Sequence, residues 1–423
     1  MKINIITLGC SKNTVDSENL AGHLRKAGHT VYFDREKADC DTTIVNTCGF
    51  IGDAKEESVE ELLRQVETKT RGRKRRRIIA VGCLVERYKE ELRQELPEVD
   101  AWYGVHEWET IVRDLGVAMP HPFEAERTPS TPAHYAYLKI SEGCNRACSY
   151  CAIPLIRGHH KSRPIDDLVR EAKQLVSNGV KELILIAQDT TYYGLDLYGE
   201  RRLGELMERL ATESGAEWIR LHYTYPTSFP HDAIEAIARH ANICNYIDIP
   251  LQHINSRLLS SMQRGIDRKG TLDLIGRFRK AIPDVAIRTT LIVGYPGETE
   301  EDFEELKQFV REARFDRMGC FAYSPEEGTP AYKLGDPIDD EEKQRRVDEL
   351  MAIQEQVSLE KNEAKVDRKY RVIVDRREGD YYVGRTEYDS PEVDDEVLIY
   401  TTRPLRPGQF VEVRITEALE NDL

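Results

Sequence analysis

The chain has 423 residues, which is enough for about two to four domains with cores of their own. Charged residues make up 32% of it and the formal charge is −15, so neither a membrane-spanning protein nor one that mainly grips nucleic acid is indicated. The N-terminal segment MKINIITLG enters a strand-like run at once and lacks the features of a signal peptide. It therefore predicts a cytoplasmic protein whose thiols stay reduced.

Residues 1–120 alternate strand and helix patterns. The Ile- and Val-rich strands are predicted at KINIITLG, TVYF, TTIVNT and RRIIAVG, with helices over 17–27 and 53–67. This alternation is typical of a parallel α/β sheet. The basic block RGRKRRR, residues 71–77, is predicted to be a solvated loop, with docking onto RNA as the alternative. Residues 121–134 are rich in proline and lack periodicity, which indicates a linker.

Residues 135–362 resume the alternation with about six strand–helix repeats. Strands are predicted at YAYLKIS, ELILIAQD, WIRLHYTY, YIDIPLQ, AIRTTLIVGYP and MGCFAYSP, with helices over 164–178, 203–213, 231–240, 271–281 and 300–313. This order favours a partial (β/α)6 barrel. After a long polar helix over 340–365, residues 363–423 show short strands and turn signals, which predict a small antiparallel β-barrel.

Three of the nine cysteines lie within eight residues, as Cys144, Cys148 and Cys151. An odd number of thiols at this spacing disfavours disulfides, and a structural zinc site prefers two paired motifs, of which the chain has no second. An iron–sulfur cluster held by three thiolates leaves one iron open for chemistry. Because the loop follows the first barrel strand, it is predicted to open at the catalytic face.

Three more cysteines, Cys10, Cys48 and Cys83, each follow a predicted strand of the first domain. The carboxyl ends of parallel strands lie along one edge of a sheet, where open α/β sheets bind ligands. The three thiols are therefore predicted to converge on a second cluster, although chance placement of small buried residues is the alternative. Cys40, Cys244 and Cys320 share no such placement and are interpreted as structural.

The C-x3-C-x2-C spacing in the first loop of a six-fold barrel resembles the radical S-adenosylmethionine superfamily. The resemblance implies a four-iron four-sulfur cluster whose open iron chelates S-adenosylmethionine, with Tyr150 near the adenine. LIVGYPGE, with Gly294 and Glu298, resembles the motif that supports the adenine, although its residues are offset by one from the usual pattern. Other candidate contacts near predicted strand ends are Gln188, Asp189, Thr190 and Arg288. Arg163 and His253 also lie near strand ends or the cysteine loop, and for Arg163, Arg288 and His253 alike an ion pair or a buried hydrogen bond is the alternative interpretation.

The segments GCSKNTVDSE, VNTCGFI and VGCLVERY around the first three cysteines resemble the methylthiotransferases of that superfamily. The resemblance covers the whole chain in the order cluster domain, radical barrel and TRAM barrel. It implies two four-iron four-sulfur clusters, on Cys144, Cys148 and Cys151 and on Cys10, Cys48 and Cys83. It also implies two S-adenosylmethionine molecules per turnover, and an external one-electron donor such as flavodoxin.

Two bacterial branches of this family resemble the chain. One modifies an aspartate of the small-subunit ribosomal protein S-twelve (uS12) at its β-carbon, and the other modifies an isopentenylated adenosine in transfer RNA. Ser11-Lys12-Asn13 and the segment DIPLQH favour the protein branch. Residues 366–423 carry nine Arg and Lys against fourteen Asp and Glu, which we interpret as unfavourable for RNA. A non-enzymatic iron–sulfur protein that docks through RGRKRRR is a further alternative.

Overall fold

The computed structural model describes residues 1–35, 39–71, 76–116 and 127–423. The chain divides into two compact units. The first comprises Met1–Thr131, Glu142–Asn145 and Ala152–His159, and the second comprises Pro132–Ser141, Arg146–Cys151 and His160–Leu423. Within the described ranges, no helix has both the length and the apolar character needed to cross a membrane. Part of the predicted linker and the middle of the basic block lie outside the described residues, and the three predicted domain boundaries stay a prediction.

The first unit is built on a five-stranded parallel sheet with the strand order β2-β1-β3-β4-β5. Its strands are β1 Lys2–Thr7, β2 Thr30–Phe33, β3 Thr42–Thr47, β4 Arg77–Gly82 and β5 Ala101–Tyr103. Its helices are α1 Ser11–Lys26, α2 Gly52–Arg71, α3 Cys83–Glu95, α4 Trp108–Asp114 and the short α5 Ile153–Arg157. The parallel sheet predicted from the sequence is confirmed.

Helices cover both faces of this sheet, because its strands carry apolar residues on both sides. Ile44 and Ile79 pack on one face with residues of α1 and α4, while Val45 and Ile78 pack on the other face with Leu62 of α2 and with residues of α3. The strands are therefore buried almost throughout, as expected for a parallel sheet.

The second unit contains a six-stranded parallel sheet with the order β13-β12-β11-β10-β9-β6, which is the arrangement of a partial barrel. The strands from β6 to β13 are β6 Tyr135–Lys139, the two-residue strands β7 Ser141–Glu142 and β8 Lys161–Ser162, β9 Glu182–Ile186, β10 Trp218–Leu221, β11 Ile243–Asp248, β12 Ala286–Val293 and β13 Arg317–Ala322. The next helices are α6 Ile165–Ser177, α7 Leu195–Tyr198, α8 Leu203–Glu213, α9 His231–Arg239, α10 Ser256–Ser261, α11 Arg268–Ala281, α12 Glu300–Ala313 and α13 Asp340–Glu363. One continuous apolar core joins sheet and helices.

The end of the chain forms a four-stranded antiparallel sheet with the order β16-β15-β14-β17. Its strands are β14 Lys369–Glu378, β15 Tyr381–Arg385, β16 Val397–Ile399 and β17 Phe410–Arg414. The fold class predicted from the sequence is confirmed in all three parts.

The sequence patterns misplaced some elements of the first unit. The sequence predicts that α1 begins at residue 17, but the helix begins at Ser11. Hydrophobic periodicity does not detect the first turn, because the residues buried there, Lys12 and Asn13, are polar. Helix α2 extends beyond the predicted 53–67 to Gly52–Arg71. The elements α3, β5 and α4 were not predicted, since α3 is mainly polar and β5 has only three residues.

A buried ion-pair network ties the partial barrel to the antiparallel sheet. Glu182, the first residue of β9, has a fully buried side chain that accepts a hydrogen bond from Arg220 Nε at 2.7 Å and lies 2.8 Å from Arg385 Nη2. Burial alone would raise the pKa of Glu182, but Arg385 and Arg220 outweigh it and hold that pKa below its usual range. The carboxylate therefore stays charged between the two guanidinium groups.

Replacing Glu182 by Ala should lower the free energy of unfolding by about 3–5 kcal/mol, because two buried cations lose a shared partner. Urea denaturation of the full chain measures this loss. Glu217→Ala is the matched control, since Glu217 pairs with the exposed Lys181 and Arg371, and its loss should cost less than about 1 kcal/mol. Equal losses for the two variants would contradict the role given to Glu182.

Candidate functional site

The first three cysteines lie at one edge of the five-stranded sheet. Cys10 is the N-cap residue of α1 after β1, Cys48 follows β3, and Cys83 is the first residue of α3 after β4. Because β1, β3 and β4 are neighbouring parallel strands, their carboxyl ends bring the three thiols to one place. Cys10 and Cys83 both lie close enough to Cys48 to influence the pKa of its thiol. The three thiols therefore lie at the sheet edge that the strand pattern predicts, and their assignment to a cluster stays a prediction.

Two glycines allow this close approach. Gly9 has a φ of +87°, and a Cβ atom at this position would lie 2.7 Å from Cys48 Sγ. At Gly49, a Cβ atom would lie 2.7 Å from the backbone nitrogen of Leu84, the residue after Cys83. Any side chain at either position would push the cysteine segments apart. The glycines beside the cysteines are a sequence signal for this approach, and strand patterns alone do not contain it.

The trio lies in a largely buried setting. Cys48 and Cys83 are buried and Cys10 is half-buried. Burial raises the pKa of Cys48 to about 11, and it also raises the pKa of Cys83, where the nearby Arg157 guanidinium opposes the increase. Without a cation bound, the thiols of Cys48 and Cys83 hold their protons at neutral pH, and a bound metal would have to displace them. Once deprotonated, cysteine thiolates are the ligands that iron–sulfur clusters use.

Polar side chains brace this edge of the sheet. Asn13 Nδ2 donates to the carbonyl oxygens of Leu8 at 2.8 Å and Thr47 at 3.2 Å, which ties the end of β1 to the end of β3. Arg157 Nη2 lies 3.2 Å from Cys83 Sγ and 2.5 Å from Asn13 Oδ1. Asn13 was named from the sequence only as part of Ser11-Lys12-Asn13, without a role at this site, and Arg157 was not named at all. The only available signal for Arg157 is that it is the single charged residue of the apolar helix α5.

The second set of cysteines lies in the loop after β7. Cys144 belongs to the first unit, where its backbone nitrogen donates to the Gly158 carbonyl at 3.0 Å. Cys148 and Cys151 belong to the second unit, where the Cys151 nitrogen donates to the Cys148 carbonyl at 3.1 Å. Cys144 and Cys148 are buried and Cys151 is half-buried.

Cys148 has a polar and aromatic environment. Arg264 Nη1 lies 3.3 Å from its sulfur and 3.2 Å from the hydroxyl of Tyr150, while the Tyr225 hydroxyl lies 3.4 Å from the same sulfur. Arg264 also donates to the Pro250 carbonyl, so its guanidinium is fixed beside the loop. Burial raises the pKa of Tyr150 and of Tyr225, which keeps both hydroxyls protonated, and the Tyr225 hydroxyl donates to the Arg264 carbonyl at 3.1 Å. Sequence reasoning found Tyr150 but missed Arg264 and Tyr225.

The residues predicted after the second barrel strand lie past the end of β9, as expected. Two of them, Asp189 and Thr190, already form hydrogen bonds within the chain. Asp189 accepts from Arg146 Nε at 2.7 Å and from the backbone nitrogen of Thr191 at 2.9 Å. The hydroxyl of Thr190 donates to the carbonyl of His222 at 2.9 Å. Gln188 is half-buried at the same strand end. Their assignment to S-adenosylmethionine stays a prediction.

The late-strand candidates lie at or beyond β12. Glu298 is buried, accepts from the Gly294 nitrogen at 3.1 Å and lies 2.5 Å from Arg346 Nη1. Arg288 pairs with Asp248 at 3.1 Å and with Asp394 at 3.3 Å. These carboxylate–guanidinium pairs support the ion-pair interpretation of Arg288, and the predicted cofactor contacts of Arg288, Gly294 and Glu298 stay predictions. Of the two remaining residues, Arg163 pairs with Glu171 at 2.6 Å, and His253 Nε2 lies 3.5 Å from Glu298.

Much of the acidic excess of the C-terminal region is turned inward. Within residues 366–423, eight of nine basic side chains are exposed, against seven of fourteen acidic ones. Asp389 and Asp395 pair with Arg317 of β13, and Asp394 accepts from the Tyr246 hydroxyl at 2.6 Å. The net charge therefore does not describe the exposed surface, and the sequence argument that acidity disfavours RNA finds no support in the exposed side chains.

Within the part of the chain that the structure describes, no group of three or more His, Cys, Asp or Glu side chains is arranged to hold a metal ion. The fit of the two cysteine sets to clusters rests on their donor chemistry and placement.

Comparison with known families matches three parts of the chain. Residues 2–104 match the Uncharacterized protein family UPF0004, residues 138–310 match the Radical SAM superfamily, and residues 366–423 match the TRAM domain.

Curated relatives are similar over the whole chain. The ribosomal protein uS12 methylthiotransferase RimO of Phocaeicola vulgatus is 53% identical over 423 residues, covering 100% of this chain and 98% of that protein. The protein of the same name from Flavobacterium psychrophilum is 55% identical, covering 100% of this chain and 97% of its own.

Solved structures share the fold at low sequence identity. The radical S-adenosylmethionine methyltransferase TsrM from Kitasatospora setae superimposes with a TM-score of 0.54 at 14% identity, covering 78% of this chain and 76% of that one. The cobalamin-dependent S-adenosylmethionine radical enzyme OxsB has a TM-score of 0.53 at 10% identity, covering 84% of this chain and 56% of its own.

In cluster-free protein at pH 8, iodoacetamide should alkylate Cys10 at least about tenfold faster than Cys48, because Cys48 is buried and its pKa is about 11. Peptide mass spectrometry over time measures both rates. Raising the pH toward 11 should speed the reaction of Cys48. The buried Cys320, whose pKa burial raises to about 12, is the control for opening of the fold and should also react slowly. Equal rates at Cys10 and Cys48 beside a slow Cys320 would contradict the described site.

Proposed function

Because the chain belongs to the family of ribosomal protein uS12 methylthiotransferases, we propose that it adds a methylthio group to the β-carbon of an aspartate in uS12. The observation that carries this proposal is the identity of 53–55% over a match that spans the whole chain. A β-carbon–hydrogen bond of aspartate is too weakly acidic for side-chain acid–base chemistry, so the difficult step falls to cofactors.

Membership of the radical SAM superfamily implies S-adenosylmethionine and a four-iron four-sulfur cluster. We assign this cluster to Cys144, Cys148 and Cys151, whose three thiolates leave one iron open to the cofactor. A second cluster, on Cys10, Cys48 and Cys83, is supported by the convergence of these thiols at one sheet edge. When bound, the clusters and two S-adenosylmethionine molecules supply the reducing electron, the hydrogen-abstracting radical and the methylthio group.

The chain's own residues position these groups. Arg264 donates to the Cys148 sulfur and the Tyr225 hydroxyl lies 3.4 Å from it, and together they hold that sulfur in a fixed, partly neutralised setting. Tyr150 packs against the apolar cluster of Leu258, Met262 and Tyr295, which provides a surface suited to a flat ring. We assign contacts with S-adenosylmethionine to the candidate set Tyr150, Gln188, Asp189, Thr190, Arg288, Gly294 and Glu298.

The partners follow from the reaction. A ribosomal substrate implies that the chain acts in the cytoplasm, on uS12 either free or within the ribosome. Reduction of the cluster requires an external one-electron donor, such as flavodoxin. The TRAM domain, residues 366–423, is proposed to hold the substrate.

The alternatives considered from the sequence are not favoured. The curated relatives named above carry the name of an enzyme that acts on uS12, which favours neither a transfer RNA substrate nor a non-enzymatic protein. Residues 72–75 of the basic block RGRKRRR lie outside the described residues, so its docking role stays untested.

Replacing Cys148 by Ala should abolish the cleavage of S-adenosylmethionine to 5′-deoxyadenosine under dithionite, because the cluster that carries the open iron loses one of its three thiolate ligands. Replacing Cys48 by Ala should leave this cleavage within about twofold of the parent but abolish methylthio transfer, since the two cysteine sets carry separate functions. Chromatography of the nucleoside and mass spectrometry of uS12 measure the two steps. Cys40→Ala is the control and should change neither step. Continued 5′-deoxyadenosine formation by Cys148→Ala would refute the assignment.

Deleting the gene should remove one methylthio group from uS12 and none from transfer RNA. Mass spectrometry of uS12 and of digested transfer RNA from the same cells measures both. Restoring the gene on a plasmid should restore the uS12 modification, while a plasmid carrying Cys148→Ala should not. Loss of a methylthio group from transfer RNA with unchanged uS12 would overturn the proposed substrate.

A further inference from the structure

We propose that Arg157 is a positioning residue for the second cluster, which orients the Cys83 sulfur and offsets part of the negative charge of the cluster. This inference rests on the proposed function, because it takes Cys10, Cys48 and Cys83 as cluster ligands. It goes beyond that function by giving a role to a residue outside both cysteine sets.

The geometry of Arg157 points at the thiol. Its Nη2 atom lies within hydrogen-bond distance of Cys83 Sγ, at 3.2 Å, and of Asn13 Oδ1, at 2.5 Å. The side chain is only 3% exposed, so water does not screen the guanidinium from the sulfur. Asn13 in turn bonds the carbonyls of Leu8 and Thr47, near the other two cysteines of the trio. The guanidinium is thus connected to all three strand ends that carry the ligands.

Two carboxylates fix the other side of the guanidinium. Arg157 Nη1 lies 2.7 Å from Asp16 Oδ2 and 3.3 Å from Glu142 Oε2. With Nη1 held by carboxylates, Nη2 is left to face the sulfur and Asn13, a division that the planar fork of arginine permits. A lysine ammonium would supply the charge but not this fixed geometry.

A purely structural role would not require the contact with sulfur. An ion pair between Arg157 and Asp16 would by itself anchor α5 to α1. For that purpose the second nitrogen of the Arg157 guanidinium would not need to face a cysteine. The observed donor instead faces a residue of the converging trio. Donors to cluster sulfur and nearby positive charge stabilise the more reduced, more negative state, and they raise the reduction potential. Arg157 should therefore make the second cluster easier to reduce.

The test uses the full chain with Cys144, Cys148 and Cys151 all replaced by Ala, so that only the second cluster can form. Iron content is measured after anaerobic reconstitution, and the midpoint potential is measured by electron paramagnetic resonance during a redox titration. Arg157→Gln should shift the potential to a more negative value, and Arg157→Lys should shift it less because the charge remains.

Two matched variants separate this effect from structure. Asp16→Asn removes the ion pair with Arg157 without touching the thiol, and it should not shift the potential to a more negative value. Arg127→Gln removes a different buried guanidinium of the same unit, which lies 3.1 Å from Glu18, and it should leave the potential unchanged. If Arg157→Gln binds no cluster while Asp16→Asn does, this also supports direct action on Cys83.

Two results would overturn the inference, and they can be distinguished. If the parent triple variant binds no iron, the second cluster of the proposed function fails, and the role of Arg157 fails with it. If the parent binds a cluster but Arg157→Gln has the parent's potential, or Asp16→Asn shifts the potential as Arg157→Gln does, only the role of Arg157 is wrong.

Discussion

The parallel order of three strands is the constraint on which the site depends. Because β1, β3 and β4 are neighbours and run in one direction, three cysteines separated by 38 and 35 residues in sequence meet at one sheet edge. Gly9 and Gly49 remove the side chains that would hold their segments apart. The loop with Cys144, Cys148 and Cys151 likewise comes after the first barrel strand. Both cysteine sets therefore follow the carboxyl ends of parallel strands, where α/β folds place their active sites.

Buried charged side chains contact the cysteine sets and join parts of the fold. Arg157 and Arg264 each bring a fixed guanidinium to one cysteine of a set, at 3.2 Å from Cys83 and 3.3 Å from Cys148. Farther along the chain, Glu182, Arg220 and Arg385 join the partial barrel to the antiparallel sheet. Such pairs are costly to bury, and they persist where each buried charge faces an opposite charge. The acidic C-terminal region meets this condition by pairing inward, which leaves its outer surface nearly balanced in charge.

The sequence predicts the helices and strands whose apolar residues are regularly spaced. Helices α8 and α12 lie at the predicted residues, because their apolar spacing is regular, and the six barrel strands follow from Ile- and Val-rich runs. The start of α1 was missed, because Lys12 and Asn13 are buried polar residues. Arg157, Arg264 and Tyr225 were missed for a related reason, since a lone polar residue carries no period and its partner lies far away in sequence. Only the folded chain shows that these residues face cysteines.

The iron content of the full chain tests the central claim of two clusters most directly. After anaerobic reconstitution, the chain should bind about eight iron atoms, and a variant with Cys10, Cys48 and Cys83 all replaced by Ala should bind about four. About four iron atoms in the unaltered chain, with no loss in this variant, would mean that the converging thiols hold no cluster.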